Sequence, residues 1–195
     1  YFRDLSNLVN LTSLTHLRRD LSASYRGDWW QAGLLVQGYQ TLSDPALPSV
    51  KPYSRLPSLT LSAARQLPGG VEFEFAGEAT RFDHPTDTSG SRVWTYPALK
   101  LPLTPSWGYL TPKIGLHSTR YWLDDSAAQN SITRNLPIFS LDSGLIFDRP
   151  MSLFGRDYQQ TLEPRAYYVF APTRDQSQIP VFVSAPLDFS YAQIF

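Results

Sequence analysis

Apolar and polar residues alternate along most of this chain, and alternation is the signature of a strand because successive side chains point to opposite faces. From Val71 to Arg81 one face carries Val71, Phe73, Phe75, Gly77 and Ala79, and the other carries Glu72, Glu74, Ala76, Glu78 and Thr80. From Pro57 to Gln66 the apolar set is Pro57, Leu59, Leu61 and Ala63, against Ser58, Thr60, Ser62, Ala64 and Gln66. Around Leu110 to Leu116 it is Leu110, Pro112, Ile114 and Leu116, against Tyr109, Thr111, Lys113, Gly115 and His117. The same period predicts strands over Thr15 to Tyr25, Trp30 to Thr41, Arg92 to Leu103, Leu136 to Asp148 and Tyr158 to Phe170. Eight strands of about ten residues exceed the ~5–6 residues usual in soluble sheets and match the ~9–11 of a tilted membrane-spanning strand.

Short and long connections take turns between these strands. Tight turns are predicted at Arg26-Gly27-Asp28, at Leu67-Pro68-Gly69-Gly70 and around Pro105-Ser106-Trp107-Gly108, with long polar loops over 42–55, 82–91 and 122–135. The seventh connection, around Pro150 to Arg156, is of intermediate length and fits the alternation least well. Tight turns on one side and long loops on the other are the habit of an up-and-down membrane barrel. Pro57, Pro97 and Pro137 recur at forty-residue intervals, each read as opening a strand after a long loop, where a missing N–H costs least. A propeller blade of that period would need four short strands, and each period here holds two long ones. Aromatic residues gather near the strand ends. Tyr25, Trp29, Trp30, Trp107 and Tyr109 lie by the short turns, and Tyr39, Phe82, Trp94, Tyr96, Tyr121 and Trp122 by the long loops, as two bilayer interfaces would favour.

The composition agrees with a wall of this kind. Seventeen basic and seventeen acidic residues cancel, and charged residues are 17% of the 195, against roughly 25% in ordinary soluble domains. That excludes nucleic acid as a partner on electrostatic grounds. Five Trp, eleven Tyr and eleven Phe exclude a disordered chain, and the lack of cysteine excludes disulfides and thiolate chemistry. The chain opens on Tyr1-Phe2-Arg3-Asp4 with no initiator methionine and no targeting pattern, so it reads as an internal piece of something longer. The polar face is predicted to hold Glu72, Glu74, Glu78, Asp142, Asp148 and Glu163 with Arg92, Lys100, Lys113, His117 and Arg165, a water-facing wall of mixed sign.

Catalytic chemistry finds little support. His16, His84 and His117 are far apart in sequence, no HExxH, GxSxG, P-loop or dinucleotide pattern occurs, and Asp83, Asp87, Asp124 and Asp125 lack the spacing of an EF-hand. No enzyme and no cofactor is expected. A hydrolase built on His117, a general porin and a soluble β-sandwich are the competing classes.

Two stretches carry a family resemblance. Thr161-Leu162-Glu163-Pro164-Arg165, followed by Arg174-Asp175-Gln176-Ser177, closely resembles a segment of the LptD family of lipopolysaccharide-assembly proteins, once called organic solvent tolerance proteins. Tyr1-Phe2-Arg3-Asp4, the Pro52 to Pro57 loop and the Leu101-Pro102-Leu103 and Trp107-Gly108 turn are similar to that family in the same order, so the resemblance runs over nearly the whole chain. It implies an all-β fold: about eight antiparallel up-and-down strands of a larger transmembrane β-barrel, with residues 1–195 forming one part of a barrel domain and no separate second domain. It also implies a Gram-negative outer-membrane location. The implied partners are lipopolysaccharide, membrane lipid, an LptE-like plug lipoprotein, and a periplasmic Lpt bridge reached through a domain absent from this chain. Residues of the family's lateral gate match no position here. The implied role is wall and surface loops rather than the exit.

Overall fold

The computed structural model describes residues 16–42, 51–124, 131–174 and 182. Seven long strands follow one another: β1 (His16–Arg26), β2 (Trp30–Thr41), β3 (Ser54–Gln66), β4 (Glu72–Asp83), β5 (Gly90–Lys100), β6 (Gly108–Leu123) and β7 (Ser131–Leu145). Three shorter ones complete the set: β8 (Phe147–Leu153), β9 (Arg156–Leu162) and β10 (Arg165–Phe170). Each strand of β1 to β7 pairs antiparallel with its sequence neighbour, and β10 pairs with β7, giving one eight-stranded up-and-down sheet. β8 and β9 form a separate two-stranded ribbon. Among the described residues the sheet is open, with β1 and β10 at its edges.

Seven of the eight predicted strands are found, several of them longer than expected, while the eighth, Tyr158 to Phe170, is divided at Glu163 and Pro164 between β9 of the ribbon and β10 of the main sheet. β6 has 16 residues and β7 has 15, because pairing continues into what alternation alone left as loop. The three repeated prolines are therefore not strand openers. Pro97 pairs opposite Phe75 and Pro137 opposite Leu116, well inside β5 and β7, while Pro57 sits where the β3–β4 register shifts between Arg55 and Ser58. A proline within a strand removes one ladder bond toward one neighbour, and a bulge absorbs that loss. At the other end of β5, Pro102 and Pro105 stop the predicted run to Leu103, which keeps only an isolated bridge to Leu110.

The register sorts the side chains into two faces. Leu21, Leu34, Leu59, Leu61, Phe73, Phe75, Leu99, Leu110, Ile114, Leu116, Phe139 and Tyr168 share one, and the carboxylates and ammonium groups of the central strands share the other. The usual order of burial is inverted. Leu21 is 74% and Ile114 60% exposed, while the side chains of Glu78 and Arg92 are only 16% and 21% exposed. Continuous apolar area of this kind does not persist in water uncovered. Among the described residues the one aromatic core lies at the long-loop end of the polar face. There Phe82, Tyr121 and Phe182 are buried, Phe82 stacks on Phe182 at 4.7 Å, and Tyr53 meets both edge-on.

Candidate functional site

The centre of the polar face is an ion-pair lattice built by register. Glu72 lies opposite Lys100 on β5, and Lys100 lies opposite Lys113 on β6. Two like charges face one another in that second pair, and Glu74 resolves the conflict. It accepts from Lys100 Nζ at 2.7 Å and from Lys113 Nζ at 2.6 Å, while Glu72 holds Lys100 from the other side at 3.0 Å. The four groups span three strands and balance in sign. Toward the long loops Glu78 binds Arg92 at 2.7 Å and accepts from the Thr80 hydroxyl at 2.8 Å. At the β10 edge Arg165 donates twice to Asp142, from Nε at 3.0 Å and Nη2 at 2.6 Å, the fork geometry that makes such pairs directional. Tyr109 adds a hydroxyl to the same carboxylate at 3.4 Å.

An aromatic shelf separates the two charged clusters. The Trp94 and His117 rings stack at 5.6 Å with their planes 10° apart, and Tyr96 leans on His117 at 6.2 Å. Lys113 sits over the Tyr96 ring at 5.6 Å. The shelf depends on glycine. A Cβ on Gly115 would lie 2.6 Å from the Tyr96 ring, so the ring lies flat across the strand only because Gly115 has no side chain. Gly144 makes the same room for Tyr109.

Of the residues predicted for the polar wall, Glu72, Glu74, Glu78, Lys100, Lys113, His117 and Arg165 occupy one face of the eight-stranded sheet. Glu163 does not belong with them. It is exposed in the link between β9 and β10, beyond the end of the sheet. Thr161 and Leu162 end β9, Pro164 follows Glu163 in the link, and Asp148 lies on β8 opposite Thr161. Arg174 follows β10, while Asp175, Gln176 and Ser177 lie outside the described residues, as do Tyr1 to Asp4 and Asp125.

The aromatic assignment changes mainly at the loop end. Trp94, Tyr96, Phe82 and Tyr121 are expected at a lipid interface, yet register places them with Arg92 and Lys100 on the polar face, and at the turn end it places Tyr109 there too, beside Asp142. On the apolar face the loop-end edge is marked instead by Trp122 beneath Arg120, 5.1 Å away, and by Arg81 bound to Asp124. That bond to Arg81 holds the Asp124 carboxyl below the usual carboxylate range. At the turn end the apolar face is edged by Tyr25 against Trp30 and by Arg65 over Trp29. Among the described residues no group of three or more His, Asp or Glu is arranged to hold a metal ion.

A single antiparallel layer of long strands, apolar on one face and ion-paired on the other, edged by aromatic and arginine side chains at both ends, is the wall of an up-and-down β-barrel. The family described as LptD, LPS transport system D, matches residues 1–195, and the chain belongs to it. The LPS-assembly protein LptD of Thiobacillus denitrificans is 56% identical across the whole of this chain, which corresponds to 27% of that protein. The proteins of that name from Aromatoleum aromaticum and Nitrosospira multiformis are 51% and 47% identical, again over the whole chain and over 25% and 22% of their own lengths. The chain thus spans about a quarter of the length of these relatives.

Proposed function

We infer that this chain forms part of the barrel wall of an outer-membrane lipopolysaccharide-assembly protein, with its apolar face against lipid and its polar face toward the barrel interior. The observation that carries the reading is the inverted burial of the sheet in a chain of the LptD family. Family membership favours lipopolysaccharide assembly over a general porin. Lipopolysaccharide couples a large polar head to apolar chains, so its passage needs a wet, hydrogen-bonding surface for sugars and phosphates beside a lipid surface. The Glu74 and Lys113 lattice, the Arg165 and Asp142 fork and the Trp94, Tyr96 and His117 shelf supply ionic, hydrogen-bonding and ring-stacking contacts within one surface. The work is noncovalent: no bond of the glycolipid is made or broken there. An LptE-like lipoprotein inside the barrel is the second partner suited to this face.

Photo-cross-linking residues placed at Glu74, Lys113 and Arg165 of the full-length protein test the reading in the membrane. Adducts with lipopolysaccharide or with an interior lipoprotein are expected. Capture of bulk phospholipid alone at all three positions would overturn the assignment of faces.

A further inference from the structure

The seventh connection is not a loop. Gly144 pairs with Arg165 at the end of the wall and Phe147 pairs with Leu162 at the start of the β8–β9 ribbon, so the register runs through the interruption without a shift. Leu145 N–H donates to the Pro164 carbonyl at 3.0 Å across the gap, and Ile146 N–H donates on the opposite side to the Trp107 carbonyl at 2.8 Å, one step further along the β6–β7 register. Pro164 has no N–H to return, so the ladder is weakest there. Beyond that point the ribbon runs seven residues per strand, about 23 Å at ~3.3 Å each, past the level at which the other turns reverse. It closes on Phe154 and Gly155, both at positive φ, with Phe154 94% exposed at the tip.

Unbroken register carries the two faces of the wall into the ribbon. Phe147, Met151, Tyr158 and Leu162 have the parity of Phe139, Leu141 and Tyr168 on the apolar face. Asp148, Ser152, Asp157, Gln159 and Thr161 continue the face of Asp142 and Arg165. An apolar strip that projects beyond the wall cannot stay in water uncovered. We propose that the Phe147–Leu162 ribbon is a flange that folds outward at Pro164 and lays its apolar strip on the membrane leaflet at the turn end of the wall.

The direction of the bend follows from the faces. Outward rotation turns the lipid-facing side of the ribbon toward the leaflet, whereas inward rotation would present the same side to water. Arg149, Gln160 and Arg156 share that parity; Arg149 Nε donates to Gln160 Oε1 at 2.7 Å across the ribbon, and the long arginine stems allow the guanidinium ends to meet lipid phosphate while the chains stay with the strip. The occupant is lipid because the strip is continuous with the face assigned to lipid, and the proposal rests on that assignment.

The test is a set of photo-cross-linking residues in place of Phe147, Tyr158, Gln159 and, in the wall, Ile114, each in the full-length protein in its own membrane. Phospholipid adducts at Phe147 and Tyr158 are expected at the level of Ile114 and several-fold above Gln159. Lipid capture at Ile114 with only protein adducts, or none, at Phe147 and Tyr158 overturns the flange and leaves the wall intact. Failure of Ile114 to capture lipid overturns the wall reading and the flange together.

Discussion

Replacing Ile114 by arginine puts a charge at the middle of the apolar face. In register Ile114 lies between Leu99 on β5 and Phe139 on β7, with leucines at 110 and 116 on the same strand face. From Leu110 to Ser118 this face runs about 27 Å along the strand at ~3.4 Å per residue. A barrel strand tilts by ~35–45°, so that stretch covers about 20 Å of membrane depth with Ile114 at its midpoint. At the midplane arginine costs about 2–4 kcal/mol, and near either interface about 0–1 kcal/mol. The midplane figure is about 30- to 1000-fold in the folding equilibrium. The natural sequence agrees with the gradient, since Arg120 stands on the same face at its loop-end edge, over Trp122. The comparator is Thr60→Lys, exposed on the polar face opposite Glu78 and expected within about 0.5 kcal/mol of the parent. The assay is the folded fraction of the full-length protein in phospholipid vesicles across a denaturant series, read by tryptophan emission and gel mobility. If Ile114→Arg proves no more costly than Thr60→Lys, the apolar face does not meet lipid and the reasoning fails.

Three further outcomes follow from the site. A double-mutant cycle of Glu74→Ala and Lys113→Ala should give a coupling of about 0.5–1 kcal/mol that shrinks as salt rises, because both side chains are about 30% exposed; a coupling indifferent to salt contradicts a water-facing lattice. Gly115→Val should displace the Tyr96 ring and cost about 1–3 kcal/mol, measured as a shift of the denaturant midpoint, and an unchanged midpoint would show that the ring does not need the space. Asp124 is depressed by its bond to Arg81, so its contribution is present above its unfolded pKa and lost as pH falls through the folded one. Asp124→Asn should therefore lower stability slightly at neutral pH and leave low pH, where the parent has already lost the contribution, unaffected, so that the acid limb flattens; a limb of unchanged slope rules that contribution out.

Much of the wall was readable from parity alone. Glu72, Glu74, Glu78, Lys113 and His117 fall on one face because a strand has a period of two, and no knowledge of pairing was needed. Parity also had the answer for Trp94 and Tyr96, which share the face of Arg92 and Lys100; grouping them by closeness to a loop gave the wrong side. Strand ends were harder. Pro97 and Pro137 look like boundaries in sequence, but a proline forfeits one ladder bond and its strand carries on. Glu163 illustrates a different limit: its parity is that of the polar face, yet the sheet ends before it, and only cross-strand register reveals where. The Tyr53, Phe82 and Phe182 cluster joins segments about 30 and 100 residues apart, which periodicity within one strand does not report.

The central claim is that adjacent residues of one strand face lipid and water in turn. Spin labels at successive positions from Tyr109 to His117 on β6, in the full-length protein in vesicles, measure it directly through collision with oxygen and with a water-soluble nickel chelate. Leu110, Pro112, Ile114 and Leu116 should be open to oxygen and Tyr109, Thr111, Lys113 and His117 to the chelate, with Gly115 left unlabelled because it is buried under the Tyr96 ring, a strict period of two with oxygen exposure greatest near Ile114. Uniform accessibility along the strand, or the opposite phase, would contradict the account.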